Sequence, residues 1–315
     1  MVPSRTVLRY LRNHEQYRAS FPTYRAARFE HLVADAFSRI LFLPLQSADT
    51  ADDTVVNRVL WHGTLDPIDK APGGQEDAVA AAYGYQILVE PTRSTGSRQW
   101  TQEFGPCCEH YEQFCAEHNL PERDVYVALV APTIGRRTWN SVRGTGSNWV
   151  LMKVSHLATV LETSILAPTL NHSQFRQLLN EFVQCSRNSE SLKEFESSAN
   201  DRVSIWQTNV LQTEDLAFLG IRSYKAMRRI GSTHIGIGEI AHCVRRDPVV
   251  RRYHKLGEID LGREKLPEKL EDSLLKQGLG CHLGRTVGGE RLIGPVSMEE
   301  IRRRNDRMAD ALEVH

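Results

Sequence analysis

No Cys-x-x-Cys pair occurs in the 315 residues, and the six cysteines are scattered along the chain. That spacing excludes a disulfide framework and argues against a structural zinc site. No apolar run approaches the ~20 residues needed to cross a bilayer, so no membrane partner is expected. The residues after Met1 are polar and basic and form no signal-peptide core. Together these absences predict a reduced, cytoplasmic protein. Formal net charge is zero, so any nucleic-acid-binding surface must be local. Lysine is missing between Lys70 and Lys153, which matters for the chemistry below.

What is present is ordinary in bulk and specific in detail. An apolar fraction of 41% and a charged fraction of 25% describe a globular protein, and the length predicts about two domains. The informative segment runs from Asp77 to Thr92. It alternates apolar residues across Tyr83-Gly84, the pattern of a β-hairpin with a tight turn. A two-residue turn sets Asp77 directly opposite Glu90 and on the same face, with Cβ atoms roughly 5 Å apart. Like charges so placed repel unless a cation holds both. The pair therefore suggests a site for a hard divalent metal. Asp66, in Leu-Asp-Pro, competes with Asp77 but lies outside the hairpin register.

The rest of the first half predicts a mixed sheet flanked by helices. Residues 25–42 carry an apolar stripe from Phe29 to Ile40 with Glu30 at its edge. Residues 44–75 read as irregular. A helical segment reaches residue 118 with an interruption at Gly105-Pro106, where Pro106 would open a new helix. Strands are expected at 124–132 and 148–154, with Ser155 capping a helix over 156–163, and a further helix lies near 172–184. In the cluster Cys107-Cys108-Glu109-His110…Cys115…His118, the spacing of Trp100, Phe104, Cys108, Tyr111 and Cys115 reads as one buried helix face rather than as zinc ligands.

The polar stretch 186–200 marks the expected boundary between domains at 1–190 and 200–315. Helices over 235–246 and 264–277, the second with Leu266, Leu270 and Leu274 on one face, precede a hairpin over 280–295. That order suggests a winged-helix-like domain. Residues 200–315 hold 20 Lys/Arg against 17 Asp/Glu, a mild positive bias. Arg245, Arg246, Arg285 and Arg291 are candidate phosphate contacts. Met298, Ile301, Asn305, Met308 and Leu312 form a short heptad-like seam.

Glu90 and Thr92 share a strand face. Many metal-dependent nucleases with this hairpin logic carry a lysine where Thr92 stands, and no arginine can replace it as a base near neutral pH. Glu103 follows thirteen residues after Glu90 and could bind a second metal or orient the attacking water. The segment Glu-Pro-Thr-Arg-Ser-Thr-Gly-Ser-Arg-Gln99-Trp-Thr-Gln-Glu103 resembles the Glu-Val-Thr…Thr-Gly…Gln…Glu pattern of AlwI-like type IIS restriction and nicking endonucleases, within the PD-(D/E)XK superfamily. Over roughly residues 25–165 the resemblance implies a restriction-endonuclease-like fold. It also implies a site in which Glu103 joins Asp77 and Glu90 in place of lysine, while Glu30 matches the glutamate of the first helix. Two departures are Glu76 before the aspartate and Pro91 within the strand, which implies a bulge or strand end.

The reading is a Mg²⁺-dependent (or Mn²⁺-dependent) endonuclease of double-stranded DNA, in restriction or antiphage defence, with room for a homodimer or a partner subunit. Two alternatives stand beside it: a non-catalytic DNA-binding or assembly subunit that kept the fold, and a nuclease directed at RNA or single strands. A series of stacking aromatics is absent, which disfavours the last.

Overall fold

The structure, a computed structural model, describes residues 3–13, 25–52, 57–63, 76–167, 170–212, 219–220, 223–224, 227, 235–247, 266–276, 280–285 and 291–295. The chain divides into two units, Met1–Gln207 and Thr208–His315. Among the described residues no helix is long and apolar enough to cross a membrane. Asp66 and the seam from Met298 to Leu312 lie outside the described residues.

The first unit is built on a six-stranded mixed sheet in the order β1-β2-β3-β4-β5-β6. Its strands are β1 (Leu45–Ser47), β2 (Val59–Trp61), β3 (Ala78–Ala82), β4 (Tyr85–Pro91), β5 (Val125–Ala131) and β6 (Asn148–Lys153). β3 and β4 pair antiparallel, while β4, β5 and β6 run parallel. All seven residues of β5 are buried, as the continuous Val-Tyr-Val-Ala-Leu-Val-Ala run requires of a strand covered on both faces. β1 and β2 fall inside the stretch read as irregular. Three residues each are too few to show an alternating period.

Helices flank this sheet in an α/β arrangement. They are α1 (Ser4–Arg12), α2 (Arg25–Ile40), α3 (Gly105–His118), α4 (Arg136–Arg143), α5 (Val154–Leu166), α6 (His172–Asn188) and α7 (Leu192–Gln212). The apolar stripe of α2 is buried as its spacing predicts, with Phe29, Leu32, Val33, Ala36, Phe37 and Ile40 all in the core. α5 starts at Val154 with Lys153 as its cap, not at Ser155. The Lys153 N–H donates to His156 Nδ1 at 3.3 Å, so the ring takes the place that a Glu or Gln fills in a capping box.

The stretch 186–200 is not a linker. It ends α6 and begins α7, because Phe195, Ala199, Val203 and Trp206 recur at steps of four and three and are buried. Polar Ser, Asn and Glu there occupy the outward faces.

The hairpin turn is Tyr83-Gly84, with Gly84 at φ +71°, a conformation that favours glycine. His172 clasps it: the Tyr83 N–H donates to His172 Nδ1 at 2.9 Å, and His172 Nε2 meets the Leu41 carbonyl at 2.9 Å. The β3–β4 register runs from Ala82↔Tyr85 to Ala78↔Val89, and its next step sets Asp77 opposite Glu90. Pro91 ends β4 without a bulge. The Thr92 N–H donates to the Val130 carbonyl at 2.8 Å, so by alternation the position of Pro91 faces β3. β3 has already ended there, and no ladder donor is lost.

The helix leading to α3 is continuous. Residues Ser97–Gln99 are α-helical, Trp100–Phe104 form a π turn, and Gly105 follows in helical conformation. Pro106 stands in the first turn of α3, where its missing N–H is tolerated, but helical residues precede it and no break separates them. The π turn before it is wider than an α turn and changes the phase of the helix. This shifts the buried face of α3 to Cys107, Tyr111 and Phe114, whereas Trp100 is 38% exposed and Cys108 and Cys115 are only partly covered.

The second unit contains α8 (Ile237–Arg246), α9 (Leu266–Lys276) and the antiparallel pair β7 (Gly280–Arg285) and β8 (Arg291–Pro295). Leu266, Leu270 and Leu274 do share a face and pack with Ile237, Ile240, Ala241 and Val244.

Candidate active site

Glu90 lies at the carboxyl end of the central strand β4 and is 6% exposed. Ile87, Leu88 and Val89 before it are fully buried, so the strand carries its carboxylate into the protein. α3 meets it there. His110 Nδ1 lies 3.1 Å from Glu90 Oε1, and the buried Cys107 thiol of the same helix lies close enough to interact with this carboxylate. Burial raises the pKa of Glu90, against the hydrogen bond and charge of His110. The hydrogen bond to Glu90 raises His110 in turn, against its own burial.

Asp77 faces this group from the end of β3. Burial pushes its carboxyl well above the usual range, and the charges of Glu30, Glu90, Glu103 and Glu76 all push the same way. Four carboxylates thus act on a fifth. Glu30 arrives from α2, as the first-helix glutamate was expected to. Glu76 is lowered: burial opposes this, but the His62 ring, whose Nε2 lies 3.6 Å from Glu76 Oε1, and the charge of His110 prevail.

Glu103 comes from the π turn. Thr92 Oγ1 donates to Glu103 Oε1 at 2.8 Å, and Ser94 Oγ donates to the same oxygen at 3.0 Å. Gln99 is fully buried and braces the loops behind them. Its Nε2 donates to the Ser94 carbonyl at 3.2 Å and the Thr133 carbonyl at 2.9 Å, while its Oε1 accepts the Gly135 N–H at 2.6 Å. Phe104 stacks on Trp149 of β6 at 5.0 Å, seating the π turn on the sheet.

The structure therefore gathers Asp77, Glu90, Glu103 and Glu30 into one electrostatic neighbourhood. Sequence reasoning missed Glu76, Cys107, His110 and Ser94. Glu103, Cys107 and His110 stand at steps of four and three, but the sequence does not fix which face of this helix turns inward. The donor set is hard carboxylate oxygen, whose mutual repulsion fits a divalent cation. Among the described residues, however, no three His, Cys, Asp or Glu side chains are closed around a metal position. Glu90 and Glu103 instead spend oxygens on His110, Thr92 and Ser94. In the second unit Arg245 and Arg246 end α8, and Arg285 pairs in register with Arg291 across the β7–β8 ladder.

A family model described as AlwI restriction endonuclease matches residues 40–149, a stretch that contains Asp77, Glu90, Glu103 and His110. Over that stretch the chain is similar to this family. The match excludes Glu30 and the whole second unit of the chain. Among solved structures, it is similar to the small subunit (R.BspD6I2) of the heterodimeric restriction endonuclease R.BspD6I, at 13% identity and a TM-score of 0.46, covering 65% of this chain and 99% of that one. No curated protein matches the chain.

Proposed function

We propose that this protein is a metal-dependent endonuclease acting on double-stranded DNA. The observation that carries the reading is Asp77, a partly buried carboxyl set among Glu30, Glu90, Glu103 and Glu76. Such a cluster opposes folding unless a cation or a proton offsets it. Asp77, Glu90 and Glu103 would hold Mg²⁺ or Mn²⁺, with Glu30 beside them. When bound, the cation would polarise the scissile phosphate and lower the pKa of its water.

The chain's own residues orient the donors. His110 holds Glu90 Oε1 from α3, with Cys107 beside it. Thr92 and Ser94 fix Glu103, and Gln99 holds their loop against the one after β5. In the second unit Arg245, Arg246, Arg285 and Arg291 would contact DNA phosphates in a winged-helix-like manner. A role in restriction or antiphage defence, inside the cell and with or without a partner subunit, follows from the family resemblance.

The deciding experiment incubates purified protein with supercoiled plasmid and with phage DNA, in Mg²⁺, Mn²⁺ or EDTA, and maps the ends produced. Metal-dependent cleavage that Glu90→Ala abolishes supports the reading. DNA binding with no cleavage in any metal would favour a non-catalytic subunit instead.

A further inference from the structure

Residues 91–102 and 125–161 contain no Asp or Glu, yet they hold Arg93, Arg98, Arg136, Arg137, Arg143 and Lys153. In a chain of zero net charge this is a local concentration of one sign. The fold joins the two stretches. Gly135, which caps α4, approaches Gly96 so closely that a Cβ on it would stand 2.7 Å from the Gly96 carbonyl oxygen. Gln99 bonds to both Thr133 and Gly135, and Trp100 Nε1 donates to Ser141 Oγ at 2.8 Å.

α4 buries Thr138, Trp139 and Val142 and exposes Arg136, Arg137, Asn140 and Arg143. Arg137 lies one turn before Ser141, so it shares the edge of α4 that meets the π turn. The Arg143 guanidinium lies over the Trp139 ring at 5.7 Å, which limits its freedom. Arg98 and Trp100 are exposed on the adjoining helical turn. That turn carries Glu103 three residues after Trp100. The basic face therefore borders the carboxylates, at the carboxyl ends of the parallel strands β4 and β5.

We propose that Arg98 and Arg137 beside Trp100, with Arg143 at the far edge of the exposed face of α4, form a grip for the phosphate backbone of duplex DNA. This rests on the endonuclease reading and places a DNA contact in the first unit, beside the reacting groups. A polyanion approaching five carboxylates is repelled unless positive charge lies next to them. Arginine's planar fork also matches phosphate oxygens in pairs. Phosphate contacts set position and register without reading bases, so the grip serves any sequence.

The test uses the full chain with Glu90→Ala as background, in EDTA, and follows binding of a fluorescent duplex across salt concentrations. Each phosphate contact contributes roughly 0.9 to the slope of log K against log salt. The triple variant Arg98→Ala/Arg137→Ala/Arg143→Ala is expected to flatten that slope by about 2 to 3. Lysine at all three positions should retain most of it. Arg123→Ala, at the amino end of β5, should leave it unchanged. An unchanged slope in the folded triple variant overturns the grip. If that variant does not fold, Arg137→Gln decides, with a loss of about 0.9 expected and no loss overturning the proposal. Plasmid cleavage by the unaltered protein is scored separately. A flattened slope without any cleavage sinks the endonuclease reading alone, whereas cleavage with an unchanged slope sinks the grip alone.

Discussion

Thr92 Oγ1 donates a 2.8 Å hydrogen bond to Glu103 Oε1, so the residue two positions after Glu90 positions a carboxylate instead of supplying an ammonium. Thr92 is 4% exposed, and its N–H bond to the Val130 carbonyl just past β4 fixes its direction. If this bond orients Glu103, Thr92→Ala should lower single-turnover cleavage by about 10- to 100-fold, the usual cost of removing a group that orients a ligand. Thr92→Ser should stay close to the unaltered protein. Glu103→Gln should fall at least as far as Thr92→Ala, and Lys70→Ala should have no effect. Normal cleavage by Glu103→Gln together with a dead Lys70→Ala would restore a lysine-based site.

Asp77 has a pKa raised by burial and by its carboxylate neighbours, so ionising it costs the folded state. The sign follows directly: stability is greatest below the unfolded pKa and declines as pH rises through the raised folded value. At neutral pH Asp77→Asn removes that cost. In EDTA its Tm should rise by a few degrees, cleavage should be lost, and the stabilisation given by Mn²⁺ should shrink. Differential scanning calorimetry reads both Tm values, and a lower Tm in EDTA would contradict the carboxylate cluster.

His156 offers a pH test away from the cluster. Its Nδ1 accepts the Lys153 N–H and its Nε2 meets Asn200 Oδ1 at 2.7 Å. Burial lowers its pKa, against the bond to Asn200. The folded state therefore keeps this ring neutral while the unfolded chain protonates it. The contribution is complete above the unfolded value of about 6.5 and is lost as pH falls below it. Urea midpoints measured from pH 8 to pH 5 should drop less in His156→Gln than in the unaltered protein.

Gly135→Ala should destabilise the first unit by about 1–3 kcal/mol, the cost of forcing a methyl group into a closed contact. The atom it would meet is backbone, the Gly96 carbonyl oxygen, which cannot swing aside as a side chain can. Cleavage should fall with it, because Gln99 holds Gly135 and the Ser94 loop together. Equal urea midpoints for Gly135→Ala and the parent would show that the two loops part without cost.

Paired replacement Arg285→Ala/Arg291→Ala tests DNA contact by the second unit. Their Cα positions face each other across the β7–β8 ladder. The variant should bind duplex DNA more weakly with a flatter salt dependence, while its metal requirement for cleavage stays the same.

How much could be read beforehand depended on the length scale of each signal. Asp77 and Glu90 were legible because a two-residue turn makes strand register a matter of arithmetic. The core of α2 and the leucine face of α9 were legible because each spans several turns of one period. β1 and β2 were not, since three residues carry no period. Cys107 and His110 were missed for a different reason: the rotation of α3 depends on the π turn, and the sequence pattern from Trp100 to Cys115 fits a regular helix with another face inward. The polar run before Asn200 misled because outward-facing Ser and Asn hide an apolar stripe.

The π turn at Trp100–Phe104 works as a phase shifter between two stretches of one helix. The stretch after it aims Cys107 and His110 at Glu90, while the turn itself aims Glu103 at Thr92 and Ser94. Shortening it by one residue would restore the even pitch and swing Glu103 by about 100° relative to α3. Helical content by circular dichroism would barely register the change. The geometry of the carboxylates is therefore encoded in a length, the count of residues between Gln99 and Gly105, as much as in the identity of any side chain.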